Sequence, residues 1–408
     1  MVPKGWVLGC VGDLLIGLES GVSVNGEDRH AQPGEKSVLK VSAVSYGFFD
    51  PKASKVIDKS EISRAKTKPR AGQVIVSRSN TELFVGASAY VDKDYQDIFL
   101  PDKLWQTVPK PDANMKWLSY VLASEHVRYT LSKLATGTSG SMKNITKGEL
   151  LTLKILIPPL PEQKKIAQTL SIWEKAIATT QQLLINSKQQ KKALMQQLLT
   201  GEKRLAGFKQ AWNKVKVSKM GSISSGGTPD TTKKEYWDGG INWLTPTDVT
   251  SLKSRYVFST NKTISEKGLK NSSAKMLPRG ALLICTRATI GAMAISTTEI
   301  ATNQGFKNLV PNAEFSVEFL YYLFTFNVKE LVRKSSGSTF LELSKSDFEK
   351  LTFLCPCLDE QHKIASVLIA ADDAIAVQQQ KLHYLKQEKK ALMQQLLTGK
   401  RRVKVEAA

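Results

Sequence analysis

The stretch KKALMQQLLTG, Lys191–Gly201, returns letter for letter at Lys389–Gly399, 198 residues further on. The match extends backwards from both copies in one register. Glu162-Gln163, Lys165-Ile166-Ala167, Leu170 and Ala176-Ile177 recur as Glu360-Gln361, Lys363-Ile364-Ala365, Leu368 and Ala374-Ile375. Solenoid repeats are about 20–50 residues long, so a period of about 200 describes a duplicated module and not a stacked array.

The apolar spacing says what each copy folds into. From Ile166 a series runs through Leu170, Trp173, Ile177, Leu184, Leu194 and Leu198, with Thr180, Ser187 and Lys191 at the intervening places. The second copy gives Ile364, Leu368, Ile375, Leu382, Leu385, Leu392 and Leu396, with Ala371, Gln378 and Lys389 between them. Steps of four and three in alternation are the seam of a coiled coil. Gln, Lys, Leu and Ala, which favour helix, dominate both segments. Pro161 suits a first turn, and Gly201 and Gly399 suit the residue just past a helix end. Each helix is then about 38 residues and roughly 57 Å long.

A narrow seam with polar flanks requires a partner helix. The other copy is the nearest, and a domain of about 150 residues between the two lets the second return antiparallel to the first. Blunt-ended pairing would set Thr180 opposite Gln378, two polar intruders of the kind that fix register. The alternatives are packing of each helix on its own domain and pairing between two chains.

On this frame the chain divides into a first mixed α/β domain over 1–157, a first long helix over 158–201, a short linker and second domain over 202–355, and a second long helix with a C-terminal tail over 356–408. In the first domain Ser37–Val44 and Val74–Ser77 read as strands and Trp117–Leu134 as helix. Between them Lys52–Arg70 is basic and rich in turns, and its Lys55, Lys59, Arg64, Lys66 and Lys68 are candidates for phosphate contact. The second domain repeats features of the first. Trp212 follows the linker as Trp6 opens the chain, and Gly280–Arg287 (GALLICTR) parallels Gly72–Arg78 (GQVIVSR). Ser338–Phe348 parallels Gly140–Leu150 at the same offset of 198. A shared scaffold with divergent interiors suggests two readers of different things.

Composition bounds the partners. Fifty-eight Lys and Arg against 37 Asp and Glu leave a net charge of +21 over 408 residues. Such an excess, spread along the chain, favours a polyanionic partner. Four cysteines are too few and too irregular for a disulfide framework. Cys355 and Cys357 have no second pair at zinc spacing, so no metal site is expected. The N-terminus lacks an apolar targeting segment and no run approaches membrane-spanning length, which reads as a cytoplasmic protein without membrane association.

Ser225-Gly-Gly-Thr-Pro229, Glu235-Tyr-Trp237 and Gly240-Ile-Asn-Trp243 resemble the target recognition domains of Type I restriction-modification specificity subunits. Pro158-Pro-Leu-Pro-Glu-Gln163 before the first helix and the LLTG endings of both helices extend the resemblance over nearly the whole chain. The first domain departs from it, since Gly17–Gly26 spells neither motif. The resemblance implies that each recognition domain reads one half of an asymmetric bipartite site in double-stranded DNA. It further implies that the paired helices hold the readers apart and bind methylation subunits, two per chain, and that restriction subunits join the full complex. Adenine N6 would be the methylated atom, with S-adenosylmethionine, ATP and Mg held by those partners and no cofactor in this chain. Base reading favours Arg for guanine and Asn or Gln for adenine. By type and position the candidates are Arg78 and Asn80 in the first domain. In the second they are Lys233, Lys234, Tyr236, Thr247, Arg255, Arg279, Arg287 and Asn303.

Catalysis within the chain is not expected. There is no phosphate-binding G-x-x-x-x-G-K-[ST] loop and no cofactor loop or base-holding motif of a methyltransferase. Glu162-Gln-Lys164 and Glu388-Lys-Lys390 mimic part of a nuclease site but fall on the long helices, where they read as solvated faces. The competing reading is a coiled-coil scaffold that binds DNA through charge alone, with affinity falling steeply with salt and little preference among sequences.

Overall fold

The architecture is taken from a computed structural model that describes residues 2–137, 142–336 and 341–405. The parallel between Ser338–Phe348 and Gly140–Leu150 falls partly outside those residues. The chain forms two compact units that are not consecutive stretches: residues 1–181 join 381–408, and 182–380 make the other. Each unit therefore holds the start of one long helix and the end of the other.

In the first unit four antiparallel strands lie in the order Ser88–Tyr90, Val74–Ser77, Leu104–Pro109, Leu15–Ser20. All four residues of Val74–Ser77 are buried, because both faces of this sheet are covered. Side chains alternate along a strand. Val74 and Val76 accordingly join the core with Trp117, Leu118 and Leu131, whereas Ile75 joins Leu39, Leu100 and Leu104 on the other face. That other face belongs to a second sheet of Ile98–Phe99, Ser37–Leu39, Ser54–Ile57 and Gly26–Glu27. The helical stretch expected over Trp117–Leu134 is two helices, Met115–Ala123 and Glu125–Leu134, separated by Ser124 in extended conformation. Nor is Lys52–Arg70 all loop, since it holds strand Ser54–Ile57 and a 3-10 turn at Lys59–Arg64.

The second unit repeats the strand order. Gly221–Ser225, Phe306–Pro311, Leu282–Cys285 and Met293–Ser296 take the same four places, and Tyr256–Val257 adds a fifth strand parallel to the last. Leu282 and Ile284 face one core, Leu283 and Cys285 the other. The two apolar runs flanked by Gly and Arg are thus the same strand of the two domains. Among the described residues no helix is long and apolar enough to cross a membrane, and no three His, Cys, Asp or Glu side chains converge as a metal ion would require.

The long helices span Leu160–Leu199 and Leu358–Leu397. Gly201 and Gly399, just past their ends, have φ of +76° and +69°, the left-handed region in which glycine is not penalised. None of the twenty seam positions is exposed, whereas Ile172, Leu183, Ile185, Val377 and Tyr384 beside the seam are. In the first unit Glu162 meets Arg402 and Glu174 meets Lys389. In the second Arg204 meets Glu360 and Lys191 meets Asp372. One partner's number falls as the other's rises, so within each unit the helix segments are antiparallel.

The repeated Glu-Gln pair is explained by burial, and Glu162-Gln163 is not the solvated face expected. Gln163 donates from Nε2 to the Pro158 carbonyl at 2.9 Å and accepts from the Asn114 amide at 3.0 Å. Gln361 does the same with Pro356 and Ser316, both at 3.0 Å. A carboxamide with one donor and one acceptor so engaged ties the helix start to its domain. The neighbouring Glu162 accepts from the Trp6 indole at 3.0 Å and from Arg402, and Glu360 accepts from the Trp212 indole at 3.2 Å and from Arg204 at 2.7 Å. Trp6 and Trp212 hold equivalent places, each beneath the guanidinium that follows a long helix.

Candidate nucleic-acid interface

In both units the ends of the central sheet bring loops from distant parts of the sequence together. In the second unit strand Gly221–Ser225 runs into Gly226-Gly227. A Cβ on Gly226 would lie 2.0 Å from the Asn303 carbonyl oxygen, and one on Gly227 would lie 2.3 Å from the Ala274 amide. The two glycines of the motif are there because backbone passes against backbone. The Gly227 carbonyl accepts from the Trp243 indole at 2.9 Å, and Trp237 stands edge-on to Trp243 at 5.0 Å. Thr228 donates to Gln304, Asn303 accepts the Gly305 amide at 2.9 Å, and the Thr286 amide donates to the Gly305 carbonyl at 2.8 Å. Thr228, Arg287, Asn303 and Gln304 are therefore gathered at one sheet end, with Pro246 and the exposed Thr247 alongside. Arg287 is exposed and precedes Ala288, whose φ of +61° is rare for a residue with a Cβ. Lys307 lies beneath, buried, with its ammonium 3.5 Å from Glu342.

The first unit has the same arrangement with different side chains. Gly21 follows strand Leu15–Ser20 and would place a Cβ 1.8 Å from the Leu100 carbonyl. It occupies the position of Gly226, so the departure of Gly17–Gly26 from the motif preserves the one glycine that this crossing requires. Thr67 donates to the Ser20 carbonyl at 2.8 Å and the Leu100 amide to Thr67 at 2.9 Å. Gln106, fully buried, accepts from the Arg70 amide and donates to the Lys68 carbonyl, each at 3.0 Å. These bonds hold Lys66 and Lys68 at the end of the sheet where Arg78 emerges. Arg78 donates from Nε to the Asp102 carbonyl at 3.1 Å and remains over a third exposed. Asn80 caps locally, through Ser77 Oγ at 3.3 Å and the Thr81 amide at 2.8 Å.

Several candidates lie elsewhere or are committed to other work. Arg255 is not presented to a ligand: only 10% exposed, it pairs with Asp372 at 3.3 Å and lies over the rings of Tyr256 and Tyr322. Tyr236 is buried, its hydroxyl 3.3 Å from Lys233, and cannot stack on a base without unfolding its turn. Arg279 is exposed but precedes strand Leu282–Cys285, at the opposite end from Arg287. Lys55 is half-buried on a strand of the second sheet, and Arg64 is paired with Glu61 at 2.5 Å. Lys233 and Lys234 are exposed before strand Trp237–Leu244. Gln304 and Thr228 stand at the same sheet end without any sequence signal that singles them out, although Thr228 lies inside the Ser225–Pro229 motif and Gln304 adjoins Asn303.

Gly226→Ala tests the crossing directly. Carbonyl oxygen at 2.0 Å cannot yield as a side chain would, so the 226–228 and 303–305 loops must separate. DNA binding through the second unit is expected to fall at least about tenfold. Fluorescence anisotropy on duplexes would read it, and unchanged affinity would show that the loop end takes no part.

Comparison with known proteins agrees with this geometry. A family model described as the Type I restriction modification DNA specificity domain matches residues 3–187 and 209–387, one segment for each half of the repeat. The chain is 40% identical over 166 residues to the Type I restriction enzyme MjaIX specificity subunit of Methanocaldococcus jannaschii, spanning 40% of this chain and 38% of that relative. It is 24% identical over 419 residues to the putative Type I restriction enzyme MjaX specificity subunit of the same organism, covering 99% and 95% of the two. Its fold matches the crystal structure of a Type I restriction-modification system S subunit from M. genitalium with a TM-score of 0.61 at 16% identity, over 96% of each chain. With two duplicated domains, two repeated long helices and the family model matched over most of its length, this chain belongs to the Type I restriction-modification DNA specificity family.

Proposed function

We propose that the chain reads an asymmetric bipartite site in double-stranded DNA, one half with each domain, and brings methylation and restriction subunits to it without doing chemistry itself. The observation that carries this reading is the pairing of one strand order with two different sets of side chains at the sheet ends. Arg78, Lys66 and Lys68 stand at this end of the sheet in the first unit, and Arg287, Asn303, Gln304 and Thr228 stand at the same end in the second. Equal frames with unequal donors and acceptors suit two half-sites of different sequence.

The repeated helices support a partner present twice. Lys192, Ala193, Gln196 and Gln197 are exposed, as are Lys390, Ala391, Gln394 and Gln395, yet the two sets are identical. Packing alone would let exposed positions drift apart, so the identity fits two copies of one methylation subunit. S-adenosylmethionine and ATP with Mg would be held by the partner subunits.

Co-expression with the methylation subunit, followed by mapping of methylated adenines across the host genome, tests the reading. One split motif with a fixed spacer is the expected result. Methylation absent or scattered without a motif, despite a stable complex, would leave the charge-only scaffold as the better account.

A further inference from the structure

Each unit contains a charged cluster at the seam that packing does not require. Glu174 and Asp372 are equivalent places of the two long helices, 198 residues apart. Each carboxylate receives the first lysine of a KKALMQQLLTG copy from the opposing helix: Lys389 to Glu174 at 2.9 Å, Lys191 to Asp372 at 2.5 Å. Each also accepts a tyrosine hydroxyl from the domain's own helix, Tyr120 at 2.8 Å and Tyr322 at 2.7 Å. A fourth group, again from the domain, completes each cluster. It is Lys116 at 2.9 Å in the first unit and Arg255 at 3.3 Å in the second. One carboxylate thus joins both long helices and the recognition domain at a single point.

Burial of Glu174 pushes its pKa up, and Lys389 and Lys116 overcome this and hold it below its ordinary value. For Asp372 the bonds from Lys191 and Tyr322 likewise outweigh burial. Both acids are charged in the folded state, and a charged hydrogen bond with several donors tolerates little rotation of any of them. An apolar contact at the same place would allow helix and domain to slide.

We infer that Asp372 and Glu174, with their lysine and tyrosine partners, are positioning residues that fix the angle of each recognition domain on its helix pair and so make the DNA spacer strictly read. This rests on the two-reader reading proposed above. A reader free to pivot still recognises its half-site, because the groups at the sheet end are untouched, but accepts that half-site at neighbouring distances.

The test uses the complex with the methylation subunit and duplexes carrying the parental half-sites at the parental spacer, or one base pair shorter or longer. Asp372→Asn keeps the shape and removes the charge. Its ratio of methylation at the parental spacer to that at the altered spacers is expected to fall roughly tenfold, the scale of one charged hydrogen bond, with half-site preference unchanged. Tyr322→Phe, which keeps the ring, should lower the ratio in the same direction by less. An unchanged ratio in both variants overturns the inference. So does loss of half-site preference together with spacer preference, which would make the cluster merely structural. If the parental complex itself shows no fixed spacer, it is the two-reader reading that fails.

Discussion

Inserting four residues into both long helices, at matched places, should lengthen the spacer of the methylated motif by about two base pairs while leaving both half-sites as they were. Four helical residues add about 6 Å, and base pairs rise by about 3.4 Å. The insertion must be made in both helices, because in each unit a segment of one packs antiparallel against a segment of the other. Lengthening one alone would pull Lys191 from Asp372 or Lys389 from Glu174. Steps of four and three keep the seam facing its partner, so a four-residue insertion also leaves a residual turn of about 40°, and some loss of activity is expected with the new spacer. Methylation mapping of the variant reads the outcome. A variant that still prefers the parental spacer would show that the span is set elsewhere.

Leu368→Ala is expected to have the largest effect on stability. Leu368 is fully buried where the second long helix meets Leu198 and Leu199 of the first and Phe319 and Phe348 of the domain. Removing its side chain leaves a cavity among three elements that cannot collapse together, at a cost of about 3 kcal/mol. Hydrogen exchange of the Val317–Phe326 amides, compared with Met115–Ala123 in the other unit, would locate the loss. A change below about 0.5 kcal/mol, the range of a surface substitution, would mean that the domain does not depend on its helix. Leu170, fully buried in the first unit among Ile166, Ala167, Leu396 and Leu397, is the matching position.

The helices and the duplication were legible because their signal is periodic and local. An alternation of fours and threes over ten positions leaves little room for another fold, and GQVIVSR and GALLICTR carry the same strand in one glance. Long-range charge pairing was not legible. By type and position Arg255 reads as a candidate for base contact, and its partner Asp372 is 117 residues away. Glu162 and Gln163 look solvated because two adjacent polar residues at a helix start usually are. Only the position of Trp6, Asn114 and Arg402 around them shows why they are buried. At the sheet ends the residue types could be named in advance, but not their company. Arg279 and Arg287 differ by eight positions and stand at opposite ends of one strand.

The bond between Arg402 and Glu162 bears on the order in which the chain is made. Arg204 reaches Glu360 across 156 residues, whereas Arg402 reaches back across 240 to Glu162 and, through Nη1, to the Lys4 carbonyl. On the ribosome the first domain emerges first but must wait for Arg402, made after the whole of the second domain, before its indole, carboxylate and guanidinium can close. The first domain is therefore completed only after the second, although most of its residues are made earlier.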